Sequence, residues 1–224
     1  MDEREDRILE AAKKLVMHYG YDKTTISDIA EEAGISKGAI YLHYASKEDL
    51  FEALFWREVD DYTGEWIGRI EADPQGGTFI GMYQHVLTTL IHRPLLQAVI
   101  KGDKRVLGTF LHKRGGFLEA RQQMRHEFVA QMQQVGAIRP DLDSKIVAHI
   151  FNIISYGIMA TQEVFSEDEQ PPVEDTITAL AGMLDRALTP PDGGQQEAAK
   201  QIILGLAQAY RHSKQSKGEN DERH

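Results

Sequence analysis

Gly34, Ser36 and Gly38, in the stretch GISKGAIYLHY over residues 34–44, spell G-x-S-x-G. That is the spacing of a hydrolase nucleophile elbow, in which a strained strand-to-helix turn lifts the serine hydroxyl above a sheet. The same serine is equally well placed as the N-cap of a short helix. The elbow needs a buried β-strand entering its first glycine. Residues 28–33 read Asp-Ile-Ala-Glu-Glu-Ala, a helical pattern with adjacent carboxylates, so that context is missing and the cap reading stands. Other reactive types offer no constellation. There are no cysteines, which excludes disulfides, thiolate zinc sites and cysteine nucleophiles. His85, His92, His112, His126 and His149 are scattered, with no pair at the short spacing two metal ligands on one helix face require. Asp60-Asp61 and Asp141 with Asp143 fall at helix ends, where caps and solvated faces account for them. No glycine loop of the phosphate-cradling kind is present. The expectation is a non-enzyme without metal or cofactor.

The elements around Ser36 are helical throughout. Residues 4–19 place Ile8, Ala11, Ala12, Leu15, Val16 and Tyr19 on one face, and Gly20 ends that helix. Thr25 stands three residues before Asp28, a capping-box spacing, and opens a short helix with Ile26, Ile29, Ala30 and Ala33 inward, closed by Gly34. A third helix runs from Ser36 to about Tyr44. Ser46, with Asp49 three residues on, caps a fourth whose apolar stripe continues from Leu50 to Ile70. Further helices are read near 77–91, 94–101, 104–112 and 117–135, then at 143–165, 173–188 and 195–212, with Pro171-Pro172 and Pro190-Pro191 punctuating the last gaps. SKQSKGENDERH at the end lacks apolar residues and is expected to be disordered.

With 224 residues, 42% of them apolar, the chain can hold one large domain or two modest ones. The charged N-terminus, MDEREDRILE, is not a signal peptide, and no apolar run is long enough to span a bilayer, so a soluble cytoplasmic protein is the expectation. A net charge of −10 argues against nucleic acid wrapped over the whole surface, and any DNA contact must be local.

Such a local contact is what residues 25–44 suggest. A helix-turn-helix needs a capped short helix, a three- or four-residue connection containing glycine, a second short helix, and an apolar residue in the turn. Gly34, Ile35 and Ser36 supply the connection; Lys37, Gly38 and Ala39 leave the start of the second helix unobstructed, with Ile40 turned to the core. Lys37 can donate to guanine O6 or N7, Tyr41 and His43 can donate or accept, and Ala39 can touch a thymine methyl. Lys47 and free helix-start N–H groups attract phosphate, and the threonine and Tyr44 hydroxyls can bond to the same backbone. Taken singly, Tyr41 and Tyr44 fit a core position as well. Residues 1–56 hold seven Lys or Arg against twelve Asp or Glu, so the acids must be turned away from the duplex and non-specific binding should be weak and salt-sensitive.

The run GYDKTTISDIAEEAGISKGAIYLHYASKEDLFEALF resembles the N-terminal domain of the TetR (tetracycline-repressor) family of bacterial transcription regulators, over about residues 7–56. The resemblance implies an all-α protein: a three-helix helix-turn-helix DNA-binding domain, 1–48, a larger helical ligand-binding and dimerisation domain, 49–212, and the tail 213–224. It implies phosphate contacts from Thr24, Thr25, Tyr44 and Lys47, and a major-groove face of Lys37, Gly38, Ala39, Tyr41, Leu42 and His43, with Ser36 at its edge.

One recognition helix reads few bases, and a two-fold dimer placing two of them about 34 Å apart is the usual solution. Segments 143–165 and 173–188 are the candidate dimer surface, through Ile150, Ile154, Gly157, Ile158, Ile177, Leu180 and Leu184, and the resemblance implies a four-helix bundle there; both segments also fit internal core helices. Trp66, Phe79, Met82, Tyr83, Leu87, Phe110, Phe117, Met124 and Phe128 could line an effector pocket, though each also fits plain core. The expected protein is a ligand-responsive regulator, a repressor released from a palindromic operator by a small apolar or amphipathic effector through a tilt of the long fourth helix. The competing reading is an architectural DNA-binding protein without an effector pocket. A helix at 195–212 exceeds the nine usual in the family.

Overall fold

A computed structural model describes residues 3–73, 78–110, 115–206 and 208. Among these the regular structure is all helical: α1 Glu3–Tyr19, α2 Ile26–Ala33, α3 Lys37–Tyr41, α4 Lys47–Ala72, α5 Phe79–Leu90, α6 Pro94–Lys101, α7 Lys104–Leu107, α8 Gly115–Gln134, α9 Ser144–Val164 and α10 Val173–Leu188, with a short 3₁₀ turn at Glu167–Glu169 and a further helix, α11, over 196–206. Residues expected at 77, 111–112, 209–212 and in the 213–224 tail lie outside the described set. The chain divides into two compact units, one drawn from residues 1–64 and 89–121, the other from 65–88 and 122–224.

In the first unit the amphipathic face of α1 buries Ile8, Leu9, Ala12 and Val16, and Glu3, Glu5 and Asp6 occupy its first turn, where carboxylates favour the positive end of the helix dipole. The capping box of α2 is complete: Thr25 Oγ1 accepts from the Asp28 N–H at 3.2 Å, and Asp28 Oδ2 accepts from the Thr25 N–H at 2.9 Å. Gly34 closes α2 in the left-handed conformation, φ 67°. Ile40 from α3 enters one apolar core with Ile8, Ile29, Leu50 and Leu54. Each such fully buried side chain contributes about 1.5–3 kcal/mol, so α3, though five residues long, is held by its core side. Charges also tie α1 to α4: Lys13 Nζ lies 2.7 Å from Glu58 Oε1, and Arg57 Nη2 lies 2.6 Å from Glu10 Oε1, with Glu58 and Arg57 buried.

In the second unit Phe79, Phe128, Phe151 and Tyr83 stack edge and face around one another, with ring centroids 4.3–5.8 Å apart in each contacting pair. Asp143 Oδ1 caps α9 by accepting from the N–H groups of Lys145 and Ile146 at 2.8 and 3.1 Å. The Arg139 N–H donates to Leu188 O at 2.9 Å and the Gln195 N–H to Gly136 O at 3.0 Å, seating α11, which buries Ala199 and Ile203.

Two elements stop short of their expected ends. The N–H groups of His43 and Tyr44 both donate to Ile40 O at 3.0 Å, which tightens the turn after Tyr41 and ends α3 three residues early. Gly108, at φ 47° and ψ −133°, leaves helical geometry and interrupts the 104–112 segment after Leu107, with Phe110 helical again.

Candidate nucleic-acid interface

Ser36 is the N-cap of α3, its Oγ accepting from the Ala39 N–H at 3.2 Å, and a helix rather than a strand precedes it. Five of the six residues expected at the groove are exposed beyond that cap. Lys37, Gly38 and His43 are exposed and Ala39 is half-buried. Tyr41 is 49% exposed and Leu42 83%, which leaves much of their apolar surface open to solvent. Lys37 Nζ lies 5.9 Å from the centre of the Tyr41 ring, so the cation and the ring stand side by side on one face. Among the described residues a Cβ at Gly38 would meet only Ser36 Oγ, at 3.9 Å, so none of them requires a glycine there and its flat surface is available to an outside molecule.

The expected phosphate-binding residues are arranged less uniformly. Thr25 is exposed, and its hydroxyl also donates to Asp28 Oδ2 at 2.8 Å. Thr24 departs from the expectation: it is buried, and its hydroxyl donates to Gly20 O at 2.9 Å, so it closes the α1–α2 loop instead of facing outward. Tyr44 is buried too, its hydroxyl donating to Glu5 Oε1 at 3.0 Å; burial first, and the Glu5 charge second, raise its pKa above the ordinary phenol value. Lys47 donates to Tyr21 O, and its ammonium sits 4.0 Å from the Tyr21 ring centre. Burial lowers its pKa, against the opposing pull of Asp22, Glu48 and Asp28. Tyr21 itself is pushed up to about 12, mainly by burial. Sequence reasoning missed Glu5 and Tyr21, which hold Tyr44 and Lys47 from 39 and 26 residues away; no local spacing signals either pairing.

In the second unit, Phe79, Tyr83 and Leu87 are buried and Trp66, Met82 and Phe128 half-buried. The Tyr83 hydroxyl donates to Phe151 O at 3.1 Å and lies 3.1 Å from Ser155 Oγ, a polar pair within the aromatic cluster. The side chains of Phe117 and Met124 lie outside the described set. Phe110 is a correction: it belongs to the core of the first unit, its ring 5.5 Å from Tyr21 and 5.8 Å from Phe51. On α9, Ile150 is exposed and Ile154, Gly157 and Ile158 are half-buried; on α10, Leu180 and Leu184 are half-buried. Ile177 is a second correction, 1% exposed and packed inward. Ile146, Ile153, Tyr156 and Met183 are exposed beside them. Ile146, Ile150, Ile153 and Gly157 repeat at steps of four, three and four, so the stripe was readable from the sequence. Among the described residues no group of three or more His, Asp or Glu could hold a metal ion, and no helix is long and apolar enough to cross a membrane.

A capped, glycine-hinged pair of short helices with an uncovered aromatic and cationic outer face defines a helix-turn-helix DNA-binding protein. Residues 8–54 match the model of the bacterial regulatory proteins of the tetR family. The chain is 25% identical over 180 residues to the HTH-type transcriptional regulator UidR of Escherichia coli (strain K12), covering 79% of this chain and 90% of that one. The transcriptional regulator FadR of Bacillus subtilis, solved in complex with stearoyl-CoA, shares the fold with TM-score 0.61 at 19% identity, covering 80% of this chain and 96% of the other. AibR, solved with isovaleryl coenzyme A and operator DNA, shares it with TM-score 0.57 at 22% identity, covering 81% and 97%. The match to the tetR family thus covers the helix-turn-helix end of the chain, and over most of its length the chain is similar to HTH-type transcriptional regulators.

Proposed function

We propose that this protein is a homodimeric repressor, not an enzyme, that binds a palindromic operator through α3 and leaves it when a small amphipathic effector enters the second unit. The observation that carries the reading is the outer face of α3: Lys37, Tyr41 and Leu42 are uncovered while Ile40, between them, is fully buried. Lys37, Gly38, Ala39, Tyr41, Leu42 and His43 enter the major groove. Thr25, Lys47 and the N–H groups after Ser36 meet phosphate, Lys47 with the ammonium hydrogens not engaged by Tyr21. Thr24 and Tyr44 act from inside, fixing the loop and the α3–α4 turn.

The second copy docks on α9 and α10. Ile146, Ile150, Ile153 and Tyr156 with Met183 form an apolar surface, and the position of Gly157 is open enough for another helix to approach closely. The effector class is an acyl-CoA, as in the FadR and AibR complexes. Its acyl chain would part the rings of Phe79, Tyr83 and Phe128, with Trp66 and Met82 beside them.

Selection of bound duplexes from a random pool tests the DNA reading: half-sites about one helical turn apart are expected. Lys37→Ala should relax preference at one position per half-site and cost about 1–3 kcal/mol, whereas Lys47→Ala should weaken all sequences alike. Enrichment of no sequence would favour the architectural protein instead. Titrating stearoyl-CoA and isovaleryl-CoA against the selected operator tests the effector class, and unchanged affinity at saturation of both would reject it.

A further inference from the structure

The loop between α1 and α2 is gripped by α7 and the two residues that follow it, within the first unit. The Tyr21 N–H donates to Val106 O at 2.8 Å. Thr109 gives Asp22 its hydroxyl at 2.7 Å and its N–H, which lies 3.1 and 3.2 Å from the two carboxylate oxygens. Two glycines permit this approach. A Cβ at Gly20 would collide with Arg105 O, one at Gly108 would collide with the Asp22 carboxylate, and both residues have positive φ, 85° and 47°. The loop has no slack beyond Asp22: the Thr24 N–H and hydroxyl both return to Gly20 O, at 3.2 and 2.9 Å, and the next residue, Thr25, is the cap of α2. Asp22 and Thr109 are nonetheless exposed, and the apolar core of the unit is made by other residues. A bond set of this kind adds little stability at a solvated site but fixes a position.

We propose that Asp22 and Thr109 form a clasp that makes the start of α2 follow residues 105–109, and that an effector changes operator affinity through it. The second half of this inference rests on the effector reading above. Asp22 is a positioning residue and touches no DNA.

The test uses full-length protein, the operator recovered by selection, and stearoyl-CoA and isovaleryl-CoA as probes. In the wild type, saturating probe should weaken operator binding roughly 5- to 150-fold, the usual range for coupled sites. In Asp22→Ala and Thr109→Val, operator binding without probe and the melting temperature should stay near wild type while the probe-induced ratio falls towards one. Asp22→Asn, which keeps an oxygen to accept from Thr109, should be intermediate. A wild-type ratio in Asp22→Ala and Thr109→Val overturns the proposal, as does loss of operator binding in step with loss of thermal stability, which would mark a merely structural role. If the wild type ignores both probes, the effector reading fails by itself and the clasp is judged by hydrogen exchange without ligand. Amides of residues 25–34 should then exchange at least about tenfold faster in Asp22→Ala, as expected when a local tether is released, and unchanged exchange overturns it.

Discussion

Short-range chemistry at single residues sets how firmly the recognition helix is presented. Ser36→Ala removes the acceptor for the Ala39 N–H and should cost about 0.5–2 kcal/mol in chemical denaturation, with Ser36→Asn close to neutral. Asp28 and Asp22 both have pKa values lowered mainly by the hydroxyl they accept from, Thr25 in one case and Thr109 in the other. A carboxylate whose folded pKa is depressed stabilises the protein above its unfolded value, about pH 4, and that stability is lost as pH falls through the lower folded value. The melting temperature should therefore change little from about pH 7 to 5 and drop below about pH 4, less steeply in Asp28→Asn. The caps at Thr25, Ser36 and Ser46, like Gly34, were legible because each bond closes within a few residues. Thr24 and Tyr44 were not, because whether a hydroxyl faces DNA or the interior depends on partners such as Glu5 that only the folded chain brings near.

At the scale of elements, the head is braced by a buried ionic contact between α1 and α4. Lys13→Met would leave Glu58, 1% exposed, with the more distant Arg57, at 3.9 Å, as its cation among the described residues. The loss should be on the order of 3 kcal/mol, the low end for breaking a buried pair, because that second cation remains. Lys13→Met with Glu58→Met should recover much of it, and urea unfolding of the single and double variants measures both. Helix periodicity located the elements well: α6 and α10 begin and end where their prolines and apolar steps put them. It failed at the ends of α3 and α7, where a doubly accepting Ile40 carbonyl and the unusual backbone of Gly108 override a continuing pattern.

For the whole molecule, the uncovered face of α9 carries the proposed assembly. Ile153→Glu places a charge within that stripe and should leave a folded monomer by sedimentation, with operator affinity reduced at least about 100-fold, since one half-site supplies only part of the contacts. A slope of operator affinity on protein concentration unchanged from wild type would contradict this. Phe110 shows why the larger organisation was hard to read: nothing near it in sequence announces that residues 89–121 cluster with 1–64, a pairing made by contacts such as Phe110 on Tyr21. The engagement of the head's own cations has a further consequence. Lys13 and Lys14 are paired with Glu58 and Glu32, so neither should displace many mobile ions when the head touches an arbitrary stretch of chromosome. Dwell on such stretches should then be brief, with long one-dimensional excursions curtailed and the bulk genome a weak sink for the protein.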